Sequence, residues 1–230
     1  MKKASNGRWK RDSHPGPARR HANSESVRTT LYLARHCDVA NPRGVLYGHL
    51  PNFGLSTKGK LQAEAQGSFL AKTRARAMYV SPLQRAQETA RIISSHFDDI
   101  PTETTDELVE ARFGHYLQGA RLRDVRWQRP LWLLHKAWPG LLPLDESIRD
   151  MAARTNAPLA RLRRDFPREG GICIGHGDPI QAFWNEARGM GRFLHLECAK
   201  GGILQLDYDD EDLVTIKYHS PECLQDIAAT

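Results

Sequence analysis

Cysteine is scarce in this 230-residue chain, and the four present, Cys37, Cys173, Cys198 and Cys223, stand at wide, irregular intervals. Such spacing builds neither a disulfide framework nor a zinc-ligand pattern, and a reducing cytoplasm is the expected setting. Long apolar runs are missing too. No stretch approaches the ~18 apolar residues of a membrane span, and residues 1–28 lack the apolar segment of a signal peptide. Charge of one sign is absent where it would mean most. The formal net charge is +6, yet residues 1–28 carry eight basic side chains against Asp12 and Glu25, which accounts for the whole surplus. Residues 29–230 hold 25 basic and 25 acidic groups and are formally neutral. A nucleic-acid-binding domain is therefore not expected. Two familiar loops fail on single positions. Gly54 to Lys60 spells G-x-x-x-x-G-K, but Leu61 stands where a phosphate loop needs Ser or Thr. Asp207 to Asp212 starts like a calcium loop and lacks its Gly and terminal Glu, so a hairpin turn is the better reading.

What is present falls into two parts. Residues 1–28 are rich in Lys, Arg, Ser, His, Gly and Pro, with only Trp9 and Val27 as large apolar side chains after Met1. Such a segment cannot bury enough surface to offset its ordering entropy and is expected to be a disordered basic tail. The remainder, 29–230, reads as one domain of alternating strands and helices. Thr30–Ala34 is a short β-prone run, and a helix begins near Ser56 or Thr57 with Leu61, Ala65 and Phe69 on one face. Ala77–Val80 is a second strand; Ser81 and Pro82 read as N-cap and first helical residue of the helix that follows. Residues 102–109 suggest a third strand, and 145–166 a helix that Pro158 should break or kink. Gly171–Gly175 is a fourth strand before His176, and two C-terminal strands lie near 203–208 and 212–218. The expected fold is α/β: a three-layer sandwich, mostly parallel central sheet, helices on both faces.

In such sheets ligands bind beyond the carboxyl ends of the strands. Three strands deliver polar residues there: Arg35-His36, then Ser81 with Arg85, then His176. A lone histidine is usually an ordinary core or surface residue. Two at strand ends, with two arginines, point to an anion site, because guanidinium forks match phosphate geometry. A neutral imidazole among such cations is a competent nucleophile toward phosphorus, and Glu110, in a turn after a strand, is the candidate acid for the departing oxygen. Glu103, Asp106 and Glu107 lie nearby as alternatives.

Four ordered blocks carry a family resemblance: Leu33-Ala34-Arg35-His36; Gly48 with Leu55 to Ala63; Ser81 to Ala90; and Leu108-Val109-Glu110 with Phe113-Gly114, then Gly175-His176-Gly177. Together they resemble the histidine phosphatase superfamily, its phosphoglycerate mutase-like branch. The resemblance implies that His36 becomes phosphorylated, that Arg35, Arg85 and His176 hold the phosphoryl oxygens, and that Glu110 is the acid. It implies no metal and no cofactor, and places Asn41, Tyr47, Gly48 and Gly177 among substrate contacts. Cys37 stands where the family usually has Gly and is expected to be a packing or redox-sensitive neighbour. The short stretch between Glu110 and His176 favours a phosphatase of small phosphomonoesters. A phosphoglycerate-type mutase, a protein phosphohistidine or phosphoserine phosphatase, and a non-catalytic phospholigand-binding module stay open, as does a homodimer. Residues 120–143, with Trp127, Trp132 and Trp138 among arginines and prolines, are expected to form a lid insertion. Its tryptophans either line a substrate pocket or bury a satellite core.

Overall fold

The computed structural model describes residues 28–112, 117–121, 123–132, 141, 146–190 and 197–228. The expected tail (save Arg28), the Phe113-Gly114 pair and much of the expected lid, Trp138 included, lie outside them. Among the described residues no helix is long and apolar enough to cross a membrane.

Six strands form one sheet in the order β3-β2-β4-β1-β5-β6: β1 Arg28–Arg35, β2 Ala75–Val80, β3 Thr102–Thr104, β4 Gly170–Gly175, β5 Ile203–Asp209 and β6 Asp212–His219. The first four run parallel, and β5 and β6 add an antiparallel edge beside β1. Every residue of β4 is buried, as a central parallel strand covered on both faces requires. Side chains alternate across the sheet. Leu31 and Leu33 face Leu159 and Leu162 of α4 (Ile148–Asp165) and Ile180 and Phe183 of α5 (Gly177–Ala187). Tyr32 and Ala34 face Ala65 and Leu70 of α1 (Thr57–Leu70), Ala86 and Ile93 of α2 (Gln84–Ser94), and Leu224 of α6 (Pro221–Ala228). This is the expected three-layer arrangement.

Three local expectations need correction. α2 opens at Gln84 with Leu83 as its N-cap, not at Ser81. Ser81 instead continues the line of β2, its N–H donating to Ile174 O at 3.0 Å, so its hydroxyl is directed into the sheet edge rather than along a helix. The third strand ends at Thr104, and a single 3-10 turn, Asp106–Leu108, follows. β3 is an exposed edge, so the chain gains more by turning inward to bury Leu108. α4 runs unbroken through Pro158, held by buried Met151, Thr155, Leu159 and Leu162 to either side, while Ser147 caps its start by accepting from Asp150 N at 3.2 Å.

Register positions the site. β1 and β4 pair Arg35 with Gly175, and β2 and β4 pair Val80 with Ile174. The residues after these strands, His36, His176 and Ser81, therefore share one edge. The described part of the lid stretch packs on the loop leading to it. Leu46 N donates to Ala120 O at 2.8 Å, and Leu117, Ala120 and Val125, the last opening the short α3 (Val125–Gln128), form a small cluster with Leu46 and Trp132. Trp132 thus joins a satellite core, whereas Trp127 is 88% exposed.

Candidate active site

His36 has no exposed surface. Its Nδ1 donates to the Cys37 carbonyl at 2.8 Å, which leaves the lone pair on Nε2. Arg85 Nε donates to that Nε2 at 3.3 Å, and Arg85 Nη2 donates to Gly48 O at 2.9 Å. Gly48 adopts φ +43°, a left-handed turn that suits glycine and aims its carbonyl at the guanidinium. Arg85 is 1% exposed. Its neutralising partners are indirect, so burial lowers its pKa.

Arg35 enters from the end of β1. Its Nη1 donates to Cys198 O at 2.6 Å, while its buried Nε has no partner among the described residues. His176, at the end of β4, is fully buried with its ring centroid 5.1 Å from that of His36. Its Nε2 meets Ser81 Oγ at 2.7 Å; its Nδ1 has no hydrogen-bond partner among the described residues and lies 3.9 Å from Glu110 Oε2. Glu110 is 8% exposed and accepts from its neighbour Ala111 N at 3.0 Å. Its segment is tied down from two sides. His49 Nε2 donates to Glu110 O at 2.8 Å, and Arg154 Nη1 donates to Glu107 O at 2.8 Å and Val109 O at 2.7 Å.

The charges follow from this burial. Desolvation, then the Arg85 and Arg35 charges, hold His36 well below the usual histidine pKa, so its ring is neutral. His176 is held low by burial first, then by the Arg85 charge, with Arg35 adding to it. Glu110 goes the other way: burial and the nearby Asp178 carboxylate raise it, against the pull of Arg85. The site thus keeps two imidazoles neutral and one carboxyl inclined to hold its proton. His36, Glu110 and His176 also present ligand atoms within 4.8 Å of one another, close enough for a metal ion. Two guanidiniums beside them repel a cation and favour an anion.

The five central groups named from sequence come together, with Gly48 and Gly177 supporting them. An added Cβ at Gly177 would lie 2.8 Å from Arg35 Cζ, so any larger residue there must displace the guanidinium. Tyr47 stacks on Phe53 at 5.0 Å and lies under Arg85 at 4.7 Å. Asn41 is engaged within its own loop. Its amide closes its own turn, donating to Val45 O at 2.8 Å and accepting from Val45 N at 3.1 Å. Cys37 is buried among Leu55, Ala63 and Ile92, donates to Gln66 Oε1 at 3.2 Å, and burial pushes its pKa up to about 12. It is a packing residue, not a thiolate. Sequence reasoning brought Ser81 to this edge without giving it a role in the site, and missed Lys200, whose Nζ holds Asp38 Oδ1 at 3.0 Å beside the nucleophile's loop. The Ser-Pro pair at a strand end was a signal for the first; nothing local marks the second.

A family model described as the histidine phosphatase superfamily (branch 1) matches residues 31–220. The chain belongs to that superfamily. An uncharacterised protein of Mycobacterium tuberculosis is 32% identical over 209 residues, covering 85% of this chain and 98% of that one. Among solved structures, the superfamily fold recurs in a phosphoserine phosphatase from Entamoeba histolytica in complex with 3-phosphoglyceric acid, at TM-score 0.70, 20% identity, and 85% and 99% of the two chains. A mycobacterial glucosyl-3-phosphoglycerate phosphatase shares it at TM-score 0.68, 21% identity, and 84% and 98% coverage. At these identities the likeness is one of fold.

Proposed function

We propose that this histidine phosphatase superfamily member hydrolyses small phosphomonoesters through a phosphohistidine on His36, without a metal ion. One observation carries the reading. Beside His36 Nε2, which Arg85 Nε faces, two buried nitrogens lack partners among the described residues: Nε of the adjacent Arg35, and Nδ1 of His176, whose ring centroid lies 5.1 Å from that of His36. Buried donors without acceptors are costly, and a phosphoryl group supplies acceptor oxygens for all of them. In the first step Nε2 forms a bond to phosphorus as the ester P–O bond breaks. Arg35, Arg85 and His176 hold the three non-bridging oxygens as charge redistributes, Arg85 Nε passing from the His36 Nε2 lone pair to a phosphoryl oxygen. Glu110, whose burial favours the protonated carboxyl, gives its proton to the departing oxygen. In the second step its carboxylate takes a proton from water as the water oxygen attacks phosphorus. The N–P electrons then return to Nε2, and phosphate leaves. The two neighbours named as phosphatases of small phosphorylated compounds support a small-molecule substrate.

The test is rapid-quench labelling during turnover of nitrophenyl phosphate. The wild type should accumulate an acid-labile phosphoenzyme that His36→Ala lacks, and turnover should persist in excess chelator. Labelling that survives in the alanine variant, or turnover abolished by chelator, overturns the reading. Turnover that moves phosphate between two organic acceptors without releasing it would make the enzyme a mutase.

A further inference from the structure

The phosphoryl-transfer steps leave one buried polar side chain unused. Ser81 has no exposed surface, and its Oγ lies 2.7 Å from His176 Nε2. The same oxygen accepts the backbone N–H of Leu83 at 3.3 Å. With a donor already directed at it, the hydroxyl proton must point elsewhere. Among the described residues the acceptor within hydrogen-bonding distance is His176 Nε2. The serine cannot drift from this position. Its N–H is bound to Ile174 O at 3.0 Å, and its carbonyl accepts from Gln87 Nε2 at 2.8 Å.

A neutral imidazole carries one proton, and which nitrogen bears it decides what the other offers. His176 is neutral because burial and the Arg85 charge hold it well below the usual histidine range. If the proton sat on Nε2, Oγ would accept it on its second lone pair, leaving the buried hydroxyl hydrogen with no acceptor among the described residues, and Nδ1 would turn a lone pair toward any anion in the hollow. If Nε2 accepts instead, Nδ1 bears the proton. It is Nδ1 that has no partner and lies 3.9 Å from Glu110 Oε2.

We propose that Ser81 is a positioning residue that fixes His176 as the Nδ1–H tautomer, through the chain Leu83 N–H to Ser81 O–H to His176, so that the ring donates to a phosphoryl oxygen. This rests on the phosphohistidine reading for its catalytic consequence, though not for the tautomer itself. The role suits serine: alanine leaves the ring free to choose, and threonine keeps the hydroxyl.

Nitrogen-15 NMR of histidine-labelled enzyme reads the tautomer directly. The wild type should show a protonated Nδ1 and an unprotonated Nε2 for His176, assigned by its loss in His176→Asn. Ser81→Ala should give mixed tautomers, and kcat/KM for nitrophenyl phosphate should fall about tenfold to a hundredfold, less than the ~10²–10³ of a donor removed outright because part of the population keeps Nδ1–H. Ser81→Thr should restore both readouts. A wild-type spectrum with the proton on Nε2 overturns the proposal, and so does a Ser81→Ala enzyme whose tautomer and rate are those of the wild type. If rapid quenching finds no phosphoenzyme on His36 while the spectrum shows Nδ1–H, the phosphatase reading fails and the tautomer assignment stands.

Discussion

Gly177→Ala isolates the contribution of Arg35 with a single methyl group. A Cβ at 177 would stand 2.8 Å from both Cζ and Nη2 of Arg35 and 3.1 Å from Nε. Ordinary non-bonded contact begins near ~3.5 Å, so the guanidinium must retreat by about 0.7 Å. Its Nη1 is held by Cys198 O at 2.6 Å, so the movement falls on the partnerless Nε, the atom that would meet the phosphoryl group. Misplacing a reacting or binding group by about 1 Å costs on the order of 10² in rate, so kcat/KM should drop roughly 10- to 100-fold. Stability should not follow it down. Gly177 opens α5 without a positive φ, and alanine there restricts the unfolded chain, worth about 0.4–1 kcal/mol in favour of the fold. The assay is steady-state hydrolysis of nitrophenyl phosphate, with vanadate inhibition as a measure of anion affinity and a thermal melt alongside. An alanine enzyme with wild-type kcat/KM and wild-type vanadate affinity would refute the assignment of Arg35 to the anion.

Glu110→Gln should lower turnover of an alkyl phosphate by about 10²–10⁴, and that of nitrophenyl phosphate far less, because nitrophenolate departs without a proton; equal losses would remove Glu110 from the acid role. For the alkyl substrate, wild-type kcat should fall as pH rises through the raised pKa of Glu110, and this alkaline limb should vanish in the glutamine variant. Arg154→Met should destabilise the fold by about 3–5 kcal/mol in urea titrations, since it strands the half-buried Glu146 carboxylate held by Nη2 at 2.8 Å; adding Glu146→Gln should recover part of the loss. His36 and His176 titrate below 6.5 in the fold and near 6.5 when unfolded, so the unfolded chain takes up protons first as pH falls. Stability should therefore decline below about pH 6.5, by up to ~1.4 kcal/mol per pH unit for each ring. Glu110 opposes this on approach to pH 4.5, because its raised pKa lets the folded state bind that proton more readily. His36→Asn should flatten the decline; a profile level from pH 7.5 to 5.5 in the wild type would contradict two buried neutral rings.

The sequence alone settled the α/β class and the edge of the sheet on which Arg35, His36, Arg85 and His176 meet. The reason is local. Apolar runs such as Gly171–Gly175 can only be covered strands, and whatever follows a parallel strand emerges at its carboxyl end. Glu110 was legible by the same logic, although the strand expected to deliver it gives way to a 3-10 turn. The atoms were beyond reach of the sequence. Which nitrogen of His36 carries the lone pair depends on a carbonyl one residue away, and the partner of His176 Nε2 is a hydroxyl 95 residues distant. Ser81 read as a helix cap because Ser-Pro favours helix starts, until pairing with Ile174 drew it into the sheet edge. Asn41 turned to its own loop, and Lys200 found Asp38 across 162 residues. Local propensity sets where elements begin and end, whereas the direction of a side chain's polar atoms is decided by neighbours that only packing brings within about 3 Å.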